Sequence, residues 1–431
     1  MRMKSFLSCI VCCLGFSAQA QLNLEQAVQI TLKNSLEIEL SQNSVASARN
    51  NNYYGVAGGL PTISAQGSDV EQQSNIHQKL NTGVNIDKNG ANVNNASASA
   101  NASILLYNGW RVIATKKKLE ELQNMSQAQL NATIQNTIAA VMTAYYDVVR
   151  QQGFLKTVER SLEVGLRRLE LVKTQQEAGF ANNADLFQSQ LDYNTLVQSK
   201  QAQETVIAQS KAELLRIMGL NTDSSFTLQD TIIADNSILL HDILDHIPEN
   251  ADIMALEFQS RSLEQHVKEV AALRYPSLSG STGYNFNRSY SEAGQMLLNM
   301  SNGPYVGVSL GLPVYSGSAL KRQQKAATYD AANMRLQKSI LLRDYNAAVV
   351  KTYQTYTNSL QQMNLQKHSL DTAQKLLDLV LFKLQLRQAT IVDVKIAQQS
   401  FETTSYNLSN LSYAAKAAEI ELKRLANTLK P

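Results

Sequence analysis

The sequence predicts a mainly helical protein with a membrane β-sheet portion, built twice from one unit: a pair of strands followed by a long helical hairpin. The first observation is an internal repeat, in which short segments recur at a constant offset of 208 residues (107 and 315, 139 and 347, 185 and 393, 213 and 421). The second is helical spacing of apolar residues, without proline, over 110–177 and 318–387. The third is strand-like alternation before each of these runs. A fixed offset without insertion indicates one structural unit used twice, which is more typical of a scaffold, tube or channel than of a compact enzyme.

The N-terminal segment 1–20 is typical of a secretory signal peptide. Two basic residues precede an apolar run, 6–16, that is too short to cross a bilayer as a helix. Ala18-Gln19-Ala20 fits the small-x-small pattern of a cleavage site, so we expect the mature chain to begin at Gln21. All three cysteines lie in this segment, which leaves the mature chain without disulfides or thiol chemistry. A lipid anchor at one of these cysteines is the alternative.

Composition and motifs argue against nucleic-acid binding, metal binding and catalysis. The formal net charge is +3, and removal of the signal takes away two basic residues and no acidic one, which leaves +1 and no nucleic-acid footprint. The five histidines are scattered, and the mature chain has no cysteine for a zinc site. The glycine-rich stretch 303–311 lacks the lysine of a phosphate-binding loop, and no nucleophile elbow is present. We therefore expect no cofactor, no metal and no catalytic residue.

Four segments alternate with a period of two residues, which predicts β-strands. In the clearest of them, Leu278, Gly280 and Thr282 fall on one face and the intervening serines fall on the other. Strands of an outer-membrane barrel need this pattern, with one face in lipid and the other in a wet lumen. A soluble antiparallel sheet with one solvated face has the same period, so alternation alone does not separate the two. The predicted strands span about 60–74, 94–107, 276–288 and 304–315.

Two further features favour the membrane barrel. Aromatic residues near strand ends are typical of the lipid interface, although core aromatics give the same pattern. Polar stretches rich in Asn, Ser and Gly, at 72–93 and 288–303, are suitable for external loops. The predicted membrane-interface aromatics are Tyr107, Trp110, Tyr305 and Tyr315.

Four strands per chain are too few to close a barrel. No mature segment offers about 20 consecutive apolar residues, so a helical span is excluded. An open sheet edge in hydrocarbon leaves unpaired amides and carbonyls that cost several kcal/mol each, so the chain must oligomerise in outer-membrane lipid. Two copies would give eight strands and a barrel filled by side chains, whereas three copies give twelve strands and room for a channel. We therefore expect a homotrimer.

The long helical runs predict antiparallel coiled-coil hairpins. Each run would be about 100 Å long at 1.5 Å per residue, which implies coiled-coil packing. A short turn follows each run, and a second helix then returns to about residue 219 in the first half and 427 in the second. The predicted domains are the signal peptide 1–20, a first repeat 21–220 with its hairpin at about 110–219, and a second repeat 221–431 with a linker at 221–250 and its hairpin at about 318–427.

This order of parts resembles the TolC-type outer-membrane efflux proteins over nearly all of residues 21–427. The segments that carry the resemblance are Leu24-Glu25-Gln26-Ala27, Leu60-Pro61 with Tyr275-Pro276, Leu312-Pro313-Val314-Tyr315, Gly179 through Leu186, and Thr390-Ile391-Val392-Asp393-Val394. The resemblance implies a homotrimer whose twelve-stranded β-barrel continues into a twelve-helix α-barrel through the periplasm, with 221–250 in an equatorial belt. It also implies the passive exit channel of a tripartite efflux or type I secretion system. The implied partners are a periplasmic adaptor (membrane-fusion) protein and an inner-membrane transporter.

In the resembled family, acidic residues at the tips of the inner helices form a ring that narrows the channel entrance. The segment 390–394 matches that motif and makes Asp393 the first candidate, and the repeat places Asp185 in the other hairpin. Three carboxylates near one axis would favour cations and repel one another. The simpler interpretation is an acidic residue that complements the dipole of a helix start. The candidate entrance and tip residues are Asp393, Asp185, Leu384, Arg387 and Gly179.

The sequence departs from the resembled family at the second tip. Ile396 stands where a second acidic ring member is often found, and Leu384 stands where an aromatic entrance residue can be. Arg387 replaces the tip glycine that is still present as Gly179 in the first half. The alternative from another functional class is a secreted or periplasmic coiled-coil structural protein without a membrane barrel.

Overall fold

The computed structural model describes residues 20–222, 226–293 and 296–430. Apart from Ala20, the predicted signal peptide lies outside these residues. The chain forms two compact units. The sheet unit comprises Leu40–Asn131 and Ala251–Arg343, and the helical unit comprises the other described residues.

The fold is mainly helical, as predicted. In chain order the elements are β1 (Ala20–Gln21), α1 (Leu24–Asn34), α2 (Leu36–Asn51), β2 (Thr62–Lys79), β3 (Asn85–Tyr107), α3 (Arg111–Glu177), α4 (Asn183–Ile217), β4 (Phe226–Thr227), α5 (Leu240–His246), α6 (Ala251–Ala272), β5 (Ser277–Ser291), β6 (Leu298–Gly311), α7 (Ala319–Gln385) and α8 (Ile391–Leu425). A short 3-10 helix, Ile247–Glu249, follows α5.

The sheet unit contains one four-stranded sheet with the strand order β2-β3-β5-β6. All three pairings are antiparallel. β2 and β6 are therefore the edge strands, and each has a hydrogen-bonded neighbour on one side only among the described residues. Because the side-chain period of a strand is two, this register fixes which residues share each face of the sheet.

The strands extend further than the sequence indicates, and the predicted external loops at 72–93 and 288–303 are largely wrong. β2 and β3 pair up to Lys79 and Asn85, β5 continues to Ser291, and β6 begins at Leu298. Backbone pairing does not require apolar side chains, so the Asn- and Ser-rich segments continue the ladder. Composition thus marks where the apolar surface of the sheet ends, whereas backbone pairing continues beyond that point.

β6 ends earlier than predicted. β6 stops at Gly311, so 312–315 is not part of the strand. Pro313 has no N–H group to donate to a ladder, which accounts for the stop. Alternation of apolar residues continues past the strand, and the sequence prediction extended too far for that reason.

The two hairpins have matching boundaries. α3 and α7 each contain 67 residues, and α4 and α8 each contain 35. Each helix of the second hairpin begins 208 residues after its counterpart, at 319 against 111 and at 391 against 183. Left-handed backbone conformations recur at the same offset, in the pairs Gly109 and Gly317, Trp110 and Ser318, Gly179 and Arg387, and Gly219 and Asn427.

The main core of the helical unit joins α1, α3, α4 and α8 to the segment between the repeats. Buried tyrosines on the long helices bind that segment: Tyr145 donates its hydroxyl hydrogen bond to the Asp230 carboxylate, and Tyr356 donates to the backbone oxygen of Asp235. The buried Glu419 accepts a hydrogen bond of 2.9 Å from the backbone N–H of Asp235. The segment is thus held by side chains from both repeats. Core residues include Val28, Ile138, Leu214, Phe226 and Ile420.

A second apolar cluster of the helical unit joins α3 to α7 and α8. Val164 of the first hairpin packs with Leu377 and Phe401 of the second. Burial of several large aliphatic and aromatic side chains at about 1.5–3 kcal/mol each holds the two hairpins in one register. This cluster positions the hairpin tips described below.

Candidate functional site

The sheet has one apolar face, made of five successive cross-strand rows. The rows are Tyr107, Leu278 and Leu310; Ile104, Gly280 and Val308; Ile63, Ala102, Thr282 and Val306; Ala65, Ala100, Tyr284 and Pro304; and Gly67, Ala98, Phe286 and Asn302. The next row introduces the charged residues Asp69 and Arg288. A band of apolar and small side chains that ends at charged residues is the pattern of a lipid-facing surface.

The opposite face of the sheet is polar and uncharged over the same length. Most of its residues are glycines or carry hydroxyl or amide groups, and some of these groups bond across strands, as in the Ser68–Ser97 contact of 2.8 Å. Ser289 likewise donates to the amide oxygen of Asn95 at 2.7 Å. No Asp, Glu, Lys or Arg occurs on this face between Thr62 and Val70 or in the paired rows of the other strands. Such a face is suited to line a wet lumen.

Two of the predicted interface aromatics lie together at the end of the apolar face. The rings of Tyr107 and Trp110 are 6.0 Å apart and nearly perpendicular. Trp110 is 67% exposed and has a positive φ of 68°, an unfavourable conformation for a bulky residue. Tyr315, the repeat counterpart of Tyr107, is also highly exposed and lies just after β6. Exposed amphipathic rings at the border of an apolar band are typical of a membrane interface.

Tyr305 does not belong with these aromatics, and its assignment as an interface residue is wrong. The register places it on the polar face, next to Gly283. Its hydroxyl group donates a hydrogen bond of 2.9 Å to the side-chain oxygen of Asn101. A Cβ atom at Gly283 would lie 2.8 Å from the Tyr305 ring and 2.5 Å from the backbone oxygen of Ala100, so glycine is needed there. Tyr305 therefore lies across the polar wall of the sheet.

Asp393 lies in the first turn of α8, where it forms a capping box with Thr390. The backbone N–H of Thr390 donates to the Asp393 carboxylate at 2.8 Å, and the Thr390 hydroxyl donates to the same oxygen at 2.7 Å. In return, the N–H of Asp393 donates to the Thr390 hydroxyl at 3.2 Å. The backbone and hydroxyl hydrogen bonds from Thr390 hold the pKa of Asp393 below its ordinary value. The exposed carboxylate thus stays ionised while it stabilises the helix start.

Asp185 occupies the same position in α4 with a different cap. The side chain of Asn182 accepts a hydrogen bond of 2.8 Å from the backbone N–H of Asp185. Among the described residues, the structure shows no reciprocal hydrogen bond from the backbone N–H of Asn182 to the Asp185 carboxylate. The two halves therefore share the helix start and differ in how the acidic side chain is held.

Gly179 and Arg387 occupy equivalent left-handed positions after the long helices, with φ of 76° and 60°. Arginine is unusual there because its Cβ atom crowds the backbone. Its guanidinium carbon lies 3.5 Å from the ring centroid of Phe180, the residue that follows Gly179. The second tip therefore places a cation on an aromatic ring of the first tip.

Leu384 is buried within the protomer and is not exposed at the entrance. Its side chain is 3% exposed and packs in the cluster that joins the hairpins, next to Val394. Ile396, in contrast, is exposed on the first turns of α8. The prediction of Leu384 as an entrance candidate is therefore wrong, because the leucine fills the protomer's own core.

Sequence reasoning missed a buried charge cluster that joins both hairpins. Arg168 of α3, 1% exposed, donates to Asp192 of α4 at 3.0 Å, and Lys395 of α8 donates to the other carboxylate oxygen at 2.9 Å. Burial lowers the pKa of Arg168, and the Asp192 carboxylate opposes that shift. The three residues come from separate helices with no shared motif, so only the packing brings them together.

No cluster of three or more His, Cys, Asp or Glu side chains has the arrangement of a metal site in 20–222, 226–293 and 296–430. In the same residues, no helix combines the length and the apolar composition needed for a transmembrane span.

A sheet with one apolar and one uncharged polar face, joined in the same chain to two long helical hairpins, defines the class of outer-membrane channel proteins. The sequence matches the family described as "Outer membrane efflux protein" over residues 27–220 and 245–428, and the chain belongs to that family. The TolC-type resemblance is thereby confirmed.

Individual relatives agree with this assignment. The chain is 25% identical to "Outer membrane protein TolC" of Vibrio cholerae serotype O1 over 348 residues, which cover 77% of each protein. It is 22% identical to the TolC protein of Escherichia coli over 80% of this chain and 71% of that protein. These proteins support an outer-membrane efflux channel rather than an enzyme.

Solved structures show the same fold at lower sequence identity. The outer membrane protein VceC of Vibrio cholerae matches with a TM-score of 0.77 and 17% identity, over 94% of this chain and 96% of VceC. The CmeC outer membrane channel of Campylobacter jejuni matches with a TM-score of 0.78 and 13% identity, over 94% of this chain and 85% of CmeC.

Proposed function

We propose that three copies of this chain form the exit channel of a tripartite efflux or type I secretion system. An inner-membrane transporter and a periplasmic adaptor protein deliver the substrate, and the channel conducts it passively across the outer membrane. The strands close a twelve-stranded barrel in the membrane, and the hairpins form a tunnel that extends into the periplasm. Family membership and the two-faced sheet support this proposal.

The observation that carries the trimer is the pair of long, unpaired sheet edges. β2 has 18 residues and β6 has 14, and each is hydrogen-bonded to only one neighbouring strand of the described chain. Unpaired backbone groups in hydrocarbon cost several kcal/mol each. β2 and β6 run in opposite directions, so antiparallel pairing of β6 with β2 of the next copy removes both edges at once. Three copies then give a barrel wide enough for a lumen.

The chemistry of the polar face supports the proposal of passive conduction. Small uncharged hydroxyl and amide groups bind water and give no strong field that selects one ion or solute. The glycine-rich stretch 303–311 lacks the lysine of a phosphate-binding loop, and in this proposal the inner-membrane partner supplies the energy for transport. Specificity then belongs to the transporter and to the entrance at the hairpin tips.

At the entrance, we infer that three copies of Asp393 lie near the threefold axis. The capping box and the lowered pKa keep these carboxylates ionised, so they attract cations. Asp185 lies in the other hairpin, and we expect it to contribute less to ion preference. Docking of the adaptor protein uses apolar side chains exposed near both tips, which include Leu191, Val392 and Ile396.

The test of the trimer is the mass of protein extracted from membranes in mild detergent. We expect the mass of three mature chains that begin at Gln21, and a water-soluble monomer would refute the proposal. A photo-crosslinking amino acid at Val392, with one at the buried Leu384 as the matched control, tests docking in cells. Adaptor protein should crosslink at position 392 alone, and equal crosslinking at both positions would contradict docking through the tips.

A further inference from the structure

The second hairpin tip carries a positive charge close in sequence to its candidate entrance carboxylate. Arg387 precedes Asp393 by six residues, and both lie in the short turn region between α7 and the first turn of α8. An unrestrained arginine six residues from a carboxylate in a turn can pair with it and offset its charge. The effect of Asp393 on ions therefore depends on where the Arg387 guanidinium group is held.

The structure holds the guanidinium group on the first tip. Its carbon lies 3.5 Å from the centre of the Phe180 ring, much closer than the roughly 6 Å limit of a cation–π contact. The backbone of Arg387 is fixed by its left-handed conformation, and its N–H donates to the backbone oxygen of Leu384 at 3.0 Å. The direction in which the side chain leaves the turn is thus set by the end of α7.

The Asp393 carboxylate is engaged elsewhere. One of its oxygens accepts both hydrogen bonds from Thr390, at 2.8 and 2.7 Å. Of the ion pairs formed by described residues, none joins Asp393 to Arg387. Exposed ion pairs and exposed cation–π contacts are of similar strength, so loss of the aromatic ring is enough to shift the arginine toward the carboxylate.

We propose that Phe180 sets the ion preference of the channel entrance by holding Arg387 away from Asp393. Phe180 is a positioning residue: it touches no ion and acts through the charge that it restrains. This inference rests on the proposed entrance role of Asp393. It assigns the two tips different tasks, with the first hairpin providing the aromatic ring and the second providing both charges.

The experiment measures the potassium-to-chloride permeability ratio of purified channels in planar lipid bilayers, from the reversal potential under a potassium chloride gradient. Phe180→Leu keeps an apolar side chain and removes the aromatic face. We expect the ratio to fall about twofold, the size of change that a unit charge makes at roughly 10 Å in water. Phe187→Leu is the matched control, because Phe187 is equally exposed, at 63%, in the same hairpin and lies under no cation in the described chain. It should leave the ratio unchanged.

The Arg387→Gly background separates charge placement from packing. Arg387→Gly copies Gly179, which already adopts the same left-handed conformation, so the turn is expected to form. In the Arg387→Gly background, Phe180→Leu should no longer lower the ratio. A decrease that persists without Arg387 would overturn the inference, because Phe180 would then act through packing.

The Asp393→Asn variant separates the positioning role of Phe180 from the proposed entrance role of Asp393. If Asp393→Asn lowers the ratio and Phe180→Leu does not, the positioning role of Phe180 is refuted while the entrance role of Asp393 stands. If Asp393→Asn leaves the ratio unchanged in intact trimers, the entrance role itself is refuted. Native mass measurement of every variant confirms that three chains are present.

Discussion

Replacement of Val306 by arginine tests whether the apolar face of the sheet lies in lipid. Val306 is 85% exposed in the protomer and belongs to the third of the five apolar rows. Rows on one face are two residues apart, so five rows extend about 27 Å along the strands at 3.4 Å per residue. With a strand tilt of about 40°, they cover about 21 Å across the membrane, close to the ~25 Å apolar band of outer-membrane barrels. If this face lies in lipid, Val306 is near the middle of the bilayer.

The expected magnitude depends on depth. Arginine on the lipid face costs about 2–4 kcal/mol at the bilayer midplane and about 0–1 kcal/mol near an interface. Val306→Arg should therefore destabilise each protomer by about 2–4 kcal/mol, and Leu310→Arg, in the first row, by at most about 1 kcal/mol. Ser309→Arg is the matched control, because Ser309 is adjacent to Leu310 in β6 but lies on the polar face.

The assay is urea unfolding of the channel in liposomes, followed by the mobility shift of heat-modifiable barrels in gel electrophoresis. The order of destabilisation should be Val306→Arg, then Leu310→Arg, then Ser309→Arg. Equal stability of the Val306 and Ser309 variants would refute the assignment of the faces. Equal and severe loss at Val306 and Leu310 would instead show that the apolar band extends further toward the helices than the rows indicate.

Three further predictions concern other parts of the chain. Trp110 is the single tryptophan, so tryptophan fluorescence reports on this one site. Lipids brominated near the headgroup should quench the fluorescence of Trp110 more strongly than lipids brominated at the chain ends. The reverse order would place Trp110 away from the interface. Asp192→Asn leaves the buried Arg168 without its anionic partner and should destabilise the helical unit by about 3–5 kcal/mol. Lys395→Ala should cost at most about 1 kcal/mol, because the Lys395 side chain is 42% exposed. Thermal unfolding followed by circular dichroism measures both losses, and equal losses would contradict the prediction. Because the pKa of Asp393 is lowered in the folded chain, its cap stabilises the start of α8 fully above the ordinary carboxyl pKa, and this stabilisation is lost as pH falls through the lowered pKa. Amide exchange at the start of α8, corrected for its intrinsic pH dependence, should therefore increase at acidic pH. The increase should be absent in Asp393→Asn.

The sequence predicts the parity of the strands well, because one face must be apolar along the whole membrane band. Val306 and Val308 alternate with small polar residues, and the register confirms that alternation. The same parity also separates Tyr305 from the other aromatics, since an odd-numbered residue of β6 lies on the polar face. Clustering near a segment end was the weaker signal, and it led to the wrong assignment.

Strand length was not predictable in the same way. Beyond the charged row of Asp69 and Arg288, both faces are polar, and a periodic signal disappears although backbone pairing continues. Only the backbone decides where such a ladder ends, through turns such as the one at Gly83, with φ of 85°. Composition alone therefore assigned to loops residues that belong to strands.

Long-range side-chain pairs at the hairpin tips were also beyond the sequence. Arg168, Asp192 and Lys395 are spread over more than half of the chain, and charge patterns at helical spacing concern neighbours three or four residues apart. Likewise, nothing in the segment around Leu384 indicates whether this leucine faces the entrance or the protomer core. The packing of Val164 against α7 and α8 decides that question.

The repeat preserves backbone geometry more strictly than side-chain chemistry, and the tips show what this difference permits. Gly179 and Arg387 share one left-handed conformation, which costs a residue with a Cβ atom about 1–2 kcal/mol. Stacking on Phe180 returns about 0.5–1 kcal/mol at an exposed site, so arginine at position 387 is a net cost to stability. A cation at this position is therefore not explained by folding alone, because glycine would satisfy the turn better. Arg387 and the capped Asp393 belong to the same tip, so a cation at position 387 fits a role in the electrostatics of the entrance. Because the first tip holds the guanidinium group, it determines how far this charge offsets that of the carboxylate.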